Sequence, residues 1–289
     1  MSLRRLLGED AVRRFLDDAL FKQPFAEAGG AAHLRDLGTE ATLRGIIDGN
    51  CPSSDESAST AGVDWLLARD GTLWDGESIQ GFDDVRRLHE EGYTLVIRHT
   101  ERHDAALAEL AAGFAADFRA PVNIHVYWTP AARHGFSWHY DAEDVFIVQT
   151  TGVKEYSLRK NTVNPWPLIE TMPRDMRFDR EIMPVMQFAL AAGDWLYIPS
   201  GYWHMGRGCE SAISLAIGVM STTALDVFDA LRPRLLDSLR WRQRMPIPAA
   251  TDAAHLREQY RQLLTELADD LQRALGEPTF VDELLSMRQ

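Results

Sequence analysis

His139 and Asp141 stand two residues apart in the strand-rich segment Phe136–Tyr156. In an extended strand, residues i and i+2 point to the same face, so this spacing would place an imidazole beside a carboxylate. One further imidazole would complete two histidines and one carboxylate, the ligand set that holds non-heme Fe(II) with open positions. His204, at the end of GDWLYIPSGYWH, is the candidate for this third ligand. By itself, a His-x-Asp pair is more often part of a solvated loop edge.

Two features of the following residues favour a functional pair. Val145–Val148 is apolar at every position, as in a strand that is buried on both faces. In the next run, alternation places Lys154 on the same face as Tyr156 and Leu158. An ammonium group on an apolar face requires a carboxylate or phosphate partner, from the protein or from a ligand, because its desolvation is costly. The alternative is that the Lys154 side chain reaches solvent from the strand end.

Together these features resemble the JmjC-type cupin oxygenases. The resemblance rests on the order of His-x-Asp, a buried strand ending in QTTG, a lysine fifteen residues after the first histidine, and the late GDWLYIPSGYWH. It covers Leu95–Met220 well and is strongest to the ribosomal-oxygenase branch, which hydroxylates ribosomal proteins. It implies a mainly β fold with flanking helices (α+β), built on a double-stranded β-helix, or jelly roll, followed by a helical module.

The same resemblance implies Fe(II) bound by His139, Asp141 and His204, with the far carboxylate of the cosubstrate 2-oxoglutarate on Lys154. O2 would bind at the remaining metal position. Other cupin chemistries, such as isomerases or cofactor-independent dioxygenases, need no buried cation at the position of Lys154.

The strand predicted over Val122–Trp128 has one polar face, formed by Asn123, His125 and Tyr127, which is expected to line the barrel interior. In the ribosomal oxygenases, the residue fourteen before the first metal histidine is usually asparagine, and the residue twelve before it is tyrosine. Here these positions are His125 and Tyr127. Three interpretations of His125 stay open: it hydrogen-bonds the cosubstrate as asparagine would, it marks a different substrate, or it is a satisfied core histidine.

A later strand, SAISLAIGV, has a small face made of Ala212, Ser214, Ala216 and Gly218. A barrel strand that leaves room for a ligand is expected to have such a face, and Ser214 is available there to bond a carboxylate. Close packing against a neighbouring sheet would explain the small residues nearly as well.

The chain is divided into a catalytic domain over residues 1–222 and a helical module over residues 223–289. Apolar residues recur at helical spacing in Leu225–Leu239, His255–Ala274 and Val281–Met287. In the related oxygenases, helices after the barrel form a dimerisation module, so a homodimer is expected. The related proteins close with a winged-helix domain, and we expect none in this sequence.

Two irregular segments are candidates for functional loops. Cys51–Gly62 is rich in small polar residues and is expected to be a flexible loop or a lid. Asn161–Met183 is a long connection without clear periodicity, and long connections often carry substrate contacts. Before the barrel, helices are expected over Glu9–Phe21 and over Ala31–Ile47, the second capped at Thr39.

The composition and net charge of the chain limit the classes of protein to which it can belong. The 289 residues are 45% hydrophobic, enough for a large globular core, and carry a formal net charge of −13. This charge argues against nucleic acid as a direct partner and allows a cationic one. No apolar run is long enough for a membrane span, and the N-terminus lacks the pattern of a secretory signal. Two cysteines fit a reducing compartment, so a cytoplasmic protein is expected.

The sequence therefore predicts an Fe(II)- and 2-oxoglutarate-dependent dioxygenase that hydroxylates a peptide or protein side chain. Two alternatives remain. One is an oxygenase of the same class that acts on a free amino acid or small metabolite. The other is a non-catalytic cupin that binds metal as a sensor.

Overall fold

The computed structural model describes residues 2–49, 62–76, 79–248 and 252–286. Of the predicted loop Cys51–Gly62, all but the last residue lies outside the described residues. The chain forms two compact units, Met1–Ser221 and Thr222–Gln289.

Eleven strands are present in the described part of the first unit. They are β1 (Phe25–Glu27), β2 (Trp65–Arg69), β3 (Thr72–Leu73), β4 (Thr94–Ile97), β5 (Val122–Thr129), β6 (Asp144–Thr151), β7 (Lys154–Arg159), β8 (Val185–Leu190), β9 (Trp195–Ile198), β10 (Trp203–Gly208) and β11 (Ala212–Val219). An eight-stranded sheet has the order β1-β9-β6-β11-β5-β4-β2-β3, and a three-stranded sheet has the order β10-β7-β8. All strand pairs are antiparallel.

The two sheets enclose one apolar layer, and helices cover the other face of the large sheet. In β6, Val145 and Ile147 pack in the layer that also contains Tyr156 and Leu158 of the small sheet. Phe146, which lies between them in sequence, packs in the larger core, to which the helices contribute. This alternation explains why β6 is apolar at successive positions. The predicted double-stranded β-helix is confirmed.

Four α-helices lie in the described part of the first unit: α1 (Ser2–Arg14), α2 (Glu40–Asp48), α3 (Phe82–Glu90) and α4 (Ala105–Phe118). The predicted helix over Ala31–Ile47 is in fact a short 3-10 segment, Ala32–Leu37, followed by α2. Thr39 separates them because it is extended and caps α2, its hydroxyl oxygen accepting from the Thr42 amide at 3.2 Å. The prediction of Thr39 as a cap is confirmed.

Among its described residues, the second unit has three helices: α5 (Ala224–Asp237), α6 (Ala253–Leu275) and α7 (Pro278–Ser286). Thr223 forms a capping box with Asp226 at the start of α5, and Asp252 caps α6 by accepting from the amides of Ala254 and His255. Across the described residues, no helix is both long and apolar enough to cross a membrane.

Candidate active site

His139 and His204 are held side by side by the backbone. His204 lies in β10, and the two residues exchange N–H to carbonyl bonds of 3.2 and 2.7 Å. This antiparallel bridge places their imidazole rings 4.2 Å apart between centroids. The extended strand expected around His139 and Asp141 is limited to this one bridge, because Asp141 lies in an irregular segment before β6.

Asp141 completes the cluster through the turn that precedes β10. Its carbonyl oxygen accepts from the Gly201 amide at 2.8 Å, and its Oδ2 lies 3.3 Å from Nε2 of His204. Gly201 has φ +79°, a conformation that side-chain-bearing residues rarely adopt. Ligand atoms of His139, Asp141 and His204 all lie within 4.8 Å of one another. The structure therefore brings together the three residues expected to bind metal.

The hydrogen bonds of the two histidines select the ring nitrogen that is free to coordinate. Nδ1 of His139 lies 2.8 Å from the Ser137 carbonyl oxygen, and Nδ1 of His204 lies 3.0 Å from that of Tyr202. Because a carbonyl oxygen only accepts, each Nδ1 carries a proton, which leaves Nε2 of each ring as the nitrogen that can coordinate a metal. Metal-binding histidines are commonly oriented by such bonds.

The electrostatics of the cluster suit a cation. Burial, helped by nearby His204, lowers the pKa of His139 to about 4. Burial alone would raise the pKa of Asp141, but the hydrogen bond and charge of His204 and the nearby His139 hold it well below its usual range. Burial opposes the charge on His204, yet its bond to Asp141 raises its pKa. A divalent cation would replace the proton that His204 and Asp141 share.

A cavity of about 450 Å³ opens beside the three residues. Its wall includes the polar face of β5, with Asn123, His125 and Tyr127, as the alternation in the sequence predicted. The small residues Ala216 and Gly218 of β11 form another part. A cavity of this size accepts a small acid together with part of a second molecule.

Lys154 points into this cavity from β7 and is only 5% exposed. Its Nζ donates to Oγ of Ser214 at 3.4 Å and lies 5.1 and 5.2 Å from the ring centroids of Tyr127 and Tyr156. Among the described residues no carboxylate pairs with it, and burial lowers its pKa to about 7. A buried ammonium group without an acidic partner is a site for an anionic ligand.

Ser214 supports the lysine. It is fully buried, and its oxygen accepts from Lys154 and, at 3.3 Å, from the Tyr156 hydroxyl. A direct bond from Ser214 to a bound carboxylate stays a prediction.

The protein provides a hydrogen-bond partner for one of the two ring nitrogens of His125. Its Nδ1 accepts from the backbone amide of His99 at 3.1 Å, so its proton is on Nε2. Burial and the nearby His99 lower the pKa of His125, which makes the neutral ring the stable form. His125 therefore offers the cavity a neutral N–H donor, as an asparagine amide would.

The connection Asn161–Met183 is anchored beside the cluster of His139, Asp141 and His204. Phe178 stacks on Trp138 with 4.2 Å between centroids, and the Glu181 carboxylate accepts from the Thr162 amide at 2.7 Å. Ile169 and Met172 reach the cavity wall. The connection is thus part of the site, although its contact with a substrate stays a prediction.

The sequence reasoning did not single out Glu143. It lines the cavity two residues after Asp141, and Asn123 donates to it at 2.7 Å. Burial raises its pKa, although its bond to Asn123 opposes this effect. Glu143 follows Asp141 at the same two-residue spacing that separates Asp141 from His139, and this spacing is the sequence signal that could have identified it.

Comparison with known proteins shows a match to one family model and similarity to several oxygenases. Residues 97–227 match the family model of the JmjC domain, a range that contains His139, Asp141, Lys154 and His204. A bifunctional lysine-specific demethylase and histidyl-hydroxylase, NO66, of Dictyostelium discoideum is 32% identical over 139 residues, which are 47% of this chain and 26% of that protein. Ribosomal oxygenase 2 of Mus musculus is 29% identical over 181 residues, which are 63% of this chain and 36% of that protein.

The chain therefore spans about a quarter to a third of the length of these relatives. Among solved structures, the Escherichia coli ribosomal oxygenase YcfD in complex with cobalt and 2-oxoglutarate is similar, with a TM-score of 0.60 and 20% identity. The similarity covers 93% of this chain and 68% of YcfD. At this identity the likeness is one of fold.

Proposed function

We propose that this chain is an Fe(II)- and 2-oxoglutarate-dependent oxygenase that hydroxylates a side chain of a peptide or protein, a proposal supported by the match of residues 97–227 to the family model of the JmjC domain. The observation that carries this proposal is the convergence of His139, Asp141 and His204 on a cavity that also contains the unpaired ammonium group of Lys154. A metal triad alone would fit many cupins. The buried cation is what requires a cosubstrate with a free carboxylate.

The donor set fits Fe(II), since two neutral imidazoles and one carboxylate are typical of non-heme iron oxygenases. When bound, Fe(II) with 2-oxoglutarate and O2 supplies oxidative decarboxylation coupled to insertion of one oxygen atom into a C–H bond. His139, Asp141 and His204 would hold the metal. Lys154 would bind the far carboxylate of 2-oxoglutarate, with Ser214 and Tyr156 orienting its Nζ.

The remaining cavity wall would position the substrate. His125 presents an N–H donor and Tyr127 an aromatic face, which suit a side chain inserted toward the metal. The relatives named as ribosomal oxygenases and histidyl-hydroxylase support a protein side chain as the target. The net charge of −13 supports a basic partner, because opposite charge favours encounter.

The test is to measure succinate formed by Fe(II)-loaded protein with basic peptides, a ribosomal extract and free amino acids. Succinate together with a mass gain of one oxygen on a peptide or protein is the expected result. Stimulation by free amino acids alone would replace the peptide with a small substrate. Tight binding of metal and 2-oxoglutarate without succinate under any condition would indicate a sensor.

The affinity for 2-oxoglutarate is expected to depend on pH through Lys154. Only the ammonium form binds the carboxylate, and the pKa of this group is lowered to about 7. Affinity should therefore be nearly constant below this pH and fall about tenfold per pH unit above it. Titrations of Mn(II)-loaded protein measure this profile, and Lys154→Arg should flatten it because arginine stays charged. A wild-type profile that rises with pH would contradict the assignment.

We propose that the chain forms a homodimer through its second unit. Several large apolar side chains of α5, α6 and α7 are exposed, namely Leu225, Phe228, Leu236, Leu264, Leu275 and Val281. Exposed apolar surface of this kind commonly marks an interface. Light scattering at tens of micromolar should give twice the chain mass. Replacing Leu236 and Leu264 with glutamate together should give a monomer, and a monomeric wild type would refute the proposal.

We also propose a cytoplasmic location. Fe(II) is retained most easily in a reducing compartment, and the exposed Cys209 has no disulfide partner among the described residues. Fractionation of cells that express the tagged chain would test it, with recovery in the membrane or secreted fraction as the contrary result.

A further inference from the structure

The edge of β5 beyond its pairing with β4 is covered by side chains instead of a strand. β4 ends at Ile97, which lies opposite Val126. Continued in this antiparallel register, the strand would place His99 opposite Ile124. Instead the chain turns into the short 3-10 segment Thr100–Arg102. The amide and carbonyl groups of Ile124, which is fully buried, therefore need partners other than a strand.

Two side chains of the turn take the backbone bonds of Ile124. Oγ of Thr100 donates to the Ile124 carbonyl oxygen at 2.9 Å, and Oε2 of Glu101 accepts from the Ile124 amide at 2.8 Å. Thr100 is fully buried, and the Glu101 side chain is only 14% exposed. These two bonds fasten the turn to β5 in place of the pair that a strand would make.

His99, which precedes the turn, has an unusual backbone conformation. Its φ of 55° and ψ of 41° lie in the left-handed region, which a residue with a side chain rarely adopts. Such a conformation persists where the surrounding structure imposes it. In this conformation the His99 amide donates to a side chain, Nδ1 of His125, at 3.1 Å. The two imidazole rings meet edge to face, with 5.3 Å between centroids.

We propose that Glu101 is a positioning residue for His125. By holding the turn on the Ile124 amide, it keeps the His99 N–H on Nδ1 of His125. The proton of the neutral ring is then kept on Nε2, so His125 in the cavity wall donates to a carboxylate or carbonyl oxygen and does not accept from a ligand. The inference rests on the proposed function in one respect, since it takes 2-oxoglutarate as the ligand that brings this oxygen.

The role of Glu101 is to accept one hydrogen bond, and it does not require a full negative charge. Without an acceptor at this position, the buried Ile124 amide has no partner from the turn, and the turn is free to shift. The His99 bond to Nδ1 would then weaken. A hydrogen bond of this kind changes the ratio of the two neutral tautomers of His125 by up to about tenfold.

The test is nitrogen NMR of the metal-free, full-length protein labelled with 15N, above the pH range in which free histidine titrates. The shifts of Nδ1 and Nε2 show which nitrogen carries the proton, and His125→Asn identifies the His125 signals by their loss. Wild-type His125 should have its proton on Nε2. A coupling between Nδ1 and the His99 amide nitrogen should report their hydrogen bond. His139, whose Nδ1 donates to the Ser137 carbonyl oxygen, should show the opposite tautomer.

Glu101→Ala should lose this coupling and shift His125 toward a mixture of tautomers. Glu101→Gln keeps an acceptor for the Ile124 amide and should restore the wild-type pattern. His99→Gly keeps the amide and tolerates the left-handed conformation, so it should also leave the pattern intact if the main chain acts rather than the imidazole. Glu109→Ala is the matched control, since Glu109 is exposed on α4 and its loss changes the net charge equally.

The functional measurement is titration of the Mn(II)-loaded proteins with 2-oxoglutarate. The affinity should fall by up to about tenfold in Glu101→Ala and recover in Glu101→Gln. Circular dichroism verifies that each variant is folded. Thr100→Val, which removes the other bond of the turn at nearly constant shape, replaces Glu101→Ala if that variant does not fold.

A wild type with the proton of His125 on Nδ1 overturns the proposal, as does a folded Glu101→Ala variant with the wild-type pattern. A changed tautomer without any change in affinity for 2-oxoglutarate would overturn the role of Glu101 in cosubstrate binding. Failure of the proposed function is a separate outcome, because the NMR experiment requires neither metal nor turnover. The expected tautomer in a protein that forms no succinate would retain the positioning of His125 and reject the oxygenase.

Discussion

Replacing Asp141 with alanine is expected to reduce the affinity for Fe(II) by more than about 100-fold, since loss of an outer-shell partner alone costs about 10- to 100-fold. Succinate formation should fall to background. The change removes the only carboxylate of the group formed with His139 and His204 within the described residues. The fold should persist, because Asp141 is anchored through its backbone carbonyl to Gly201 and its side chain is 42% exposed.

The measurement is calorimetric titration of the apoprotein with Fe(II) under nitrogen, with circular dichroism as the check of folding. Glu90→Ala is the matched control, because Glu90 is an exposed helical residue that only approaches Arg86 at 3.6 Å. His139→Ala and His204→Ala should resemble Asp141→Ala. Wild-type iron affinity in the Asp141 variant would show that the three residues are not the metal site.

The sequence predicted the residues of the site better than the backbone that holds them. His139 and Asp141 were found by their spacing, and Lys154 by its position on an apolar face, which are properties of local sequence. His204 is a candidate only as the further imidazole that the pair needs, since it lies 63 residues from Asp141, and the resemblance to a family supports the choice. The antiparallel bridge between His139 and His204 joins residues far apart in sequence, so no local sequence pattern predicts it.

Strand β10 shows why part of the fold was missed. Its sequence, WHMGRG, contains two glycines and no β-branched residue, so its intrinsic preference for a strand is weak. Antiparallel pairing with β7 stabilises β10 as a strand in spite of this weak preference. One of those glycines also has a role in the site, because a Cβ at Gly206 would stand 2.8 Å from Cε of Lys154. Gly206 thus weakens the strand pattern in the sequence and, at the same time, leaves room for the Lys154 side chain.

The short strands β1 and β3 were not predicted for a different reason. They contain three and two residues, too few for an alternating pattern to be recognised. By contrast, β4, β8 and β9 contain β-branched or aromatic residues flanked by turns, the pattern that marks a strand in a sequence.

Reversing the charge at Lys154 is expected to separate cosubstrate binding from metal binding. In Lys154→Glu, the far carboxylate of 2-oxoglutarate would face another carboxylate inside the cavity. Removing one partner of a buried, hydrogen-bonded charge pair costs about 2–5 kcal/mol, which is roughly 30- to 4,000-fold in affinity, and reversal should cost at least as much. Lys154→Met removes the charge at similar length and should show the lower part of this range.

Iron affinity should be retained in both variants, because Lys154 does not belong to the group of possible metal ligands. Lys160→Glu is the matched control: it makes the same charge reversal six residues along the chain, at an exposed position. Titration of the Mn(II)-loaded proteins with 2-oxoglutarate gives the comparison. If Lys154→Glu bound 2-oxoglutarate as tightly as wild type, the anion site would lie elsewhere, and Arg159, whose guanidinium stacks on Phe178, would be the next residue to test.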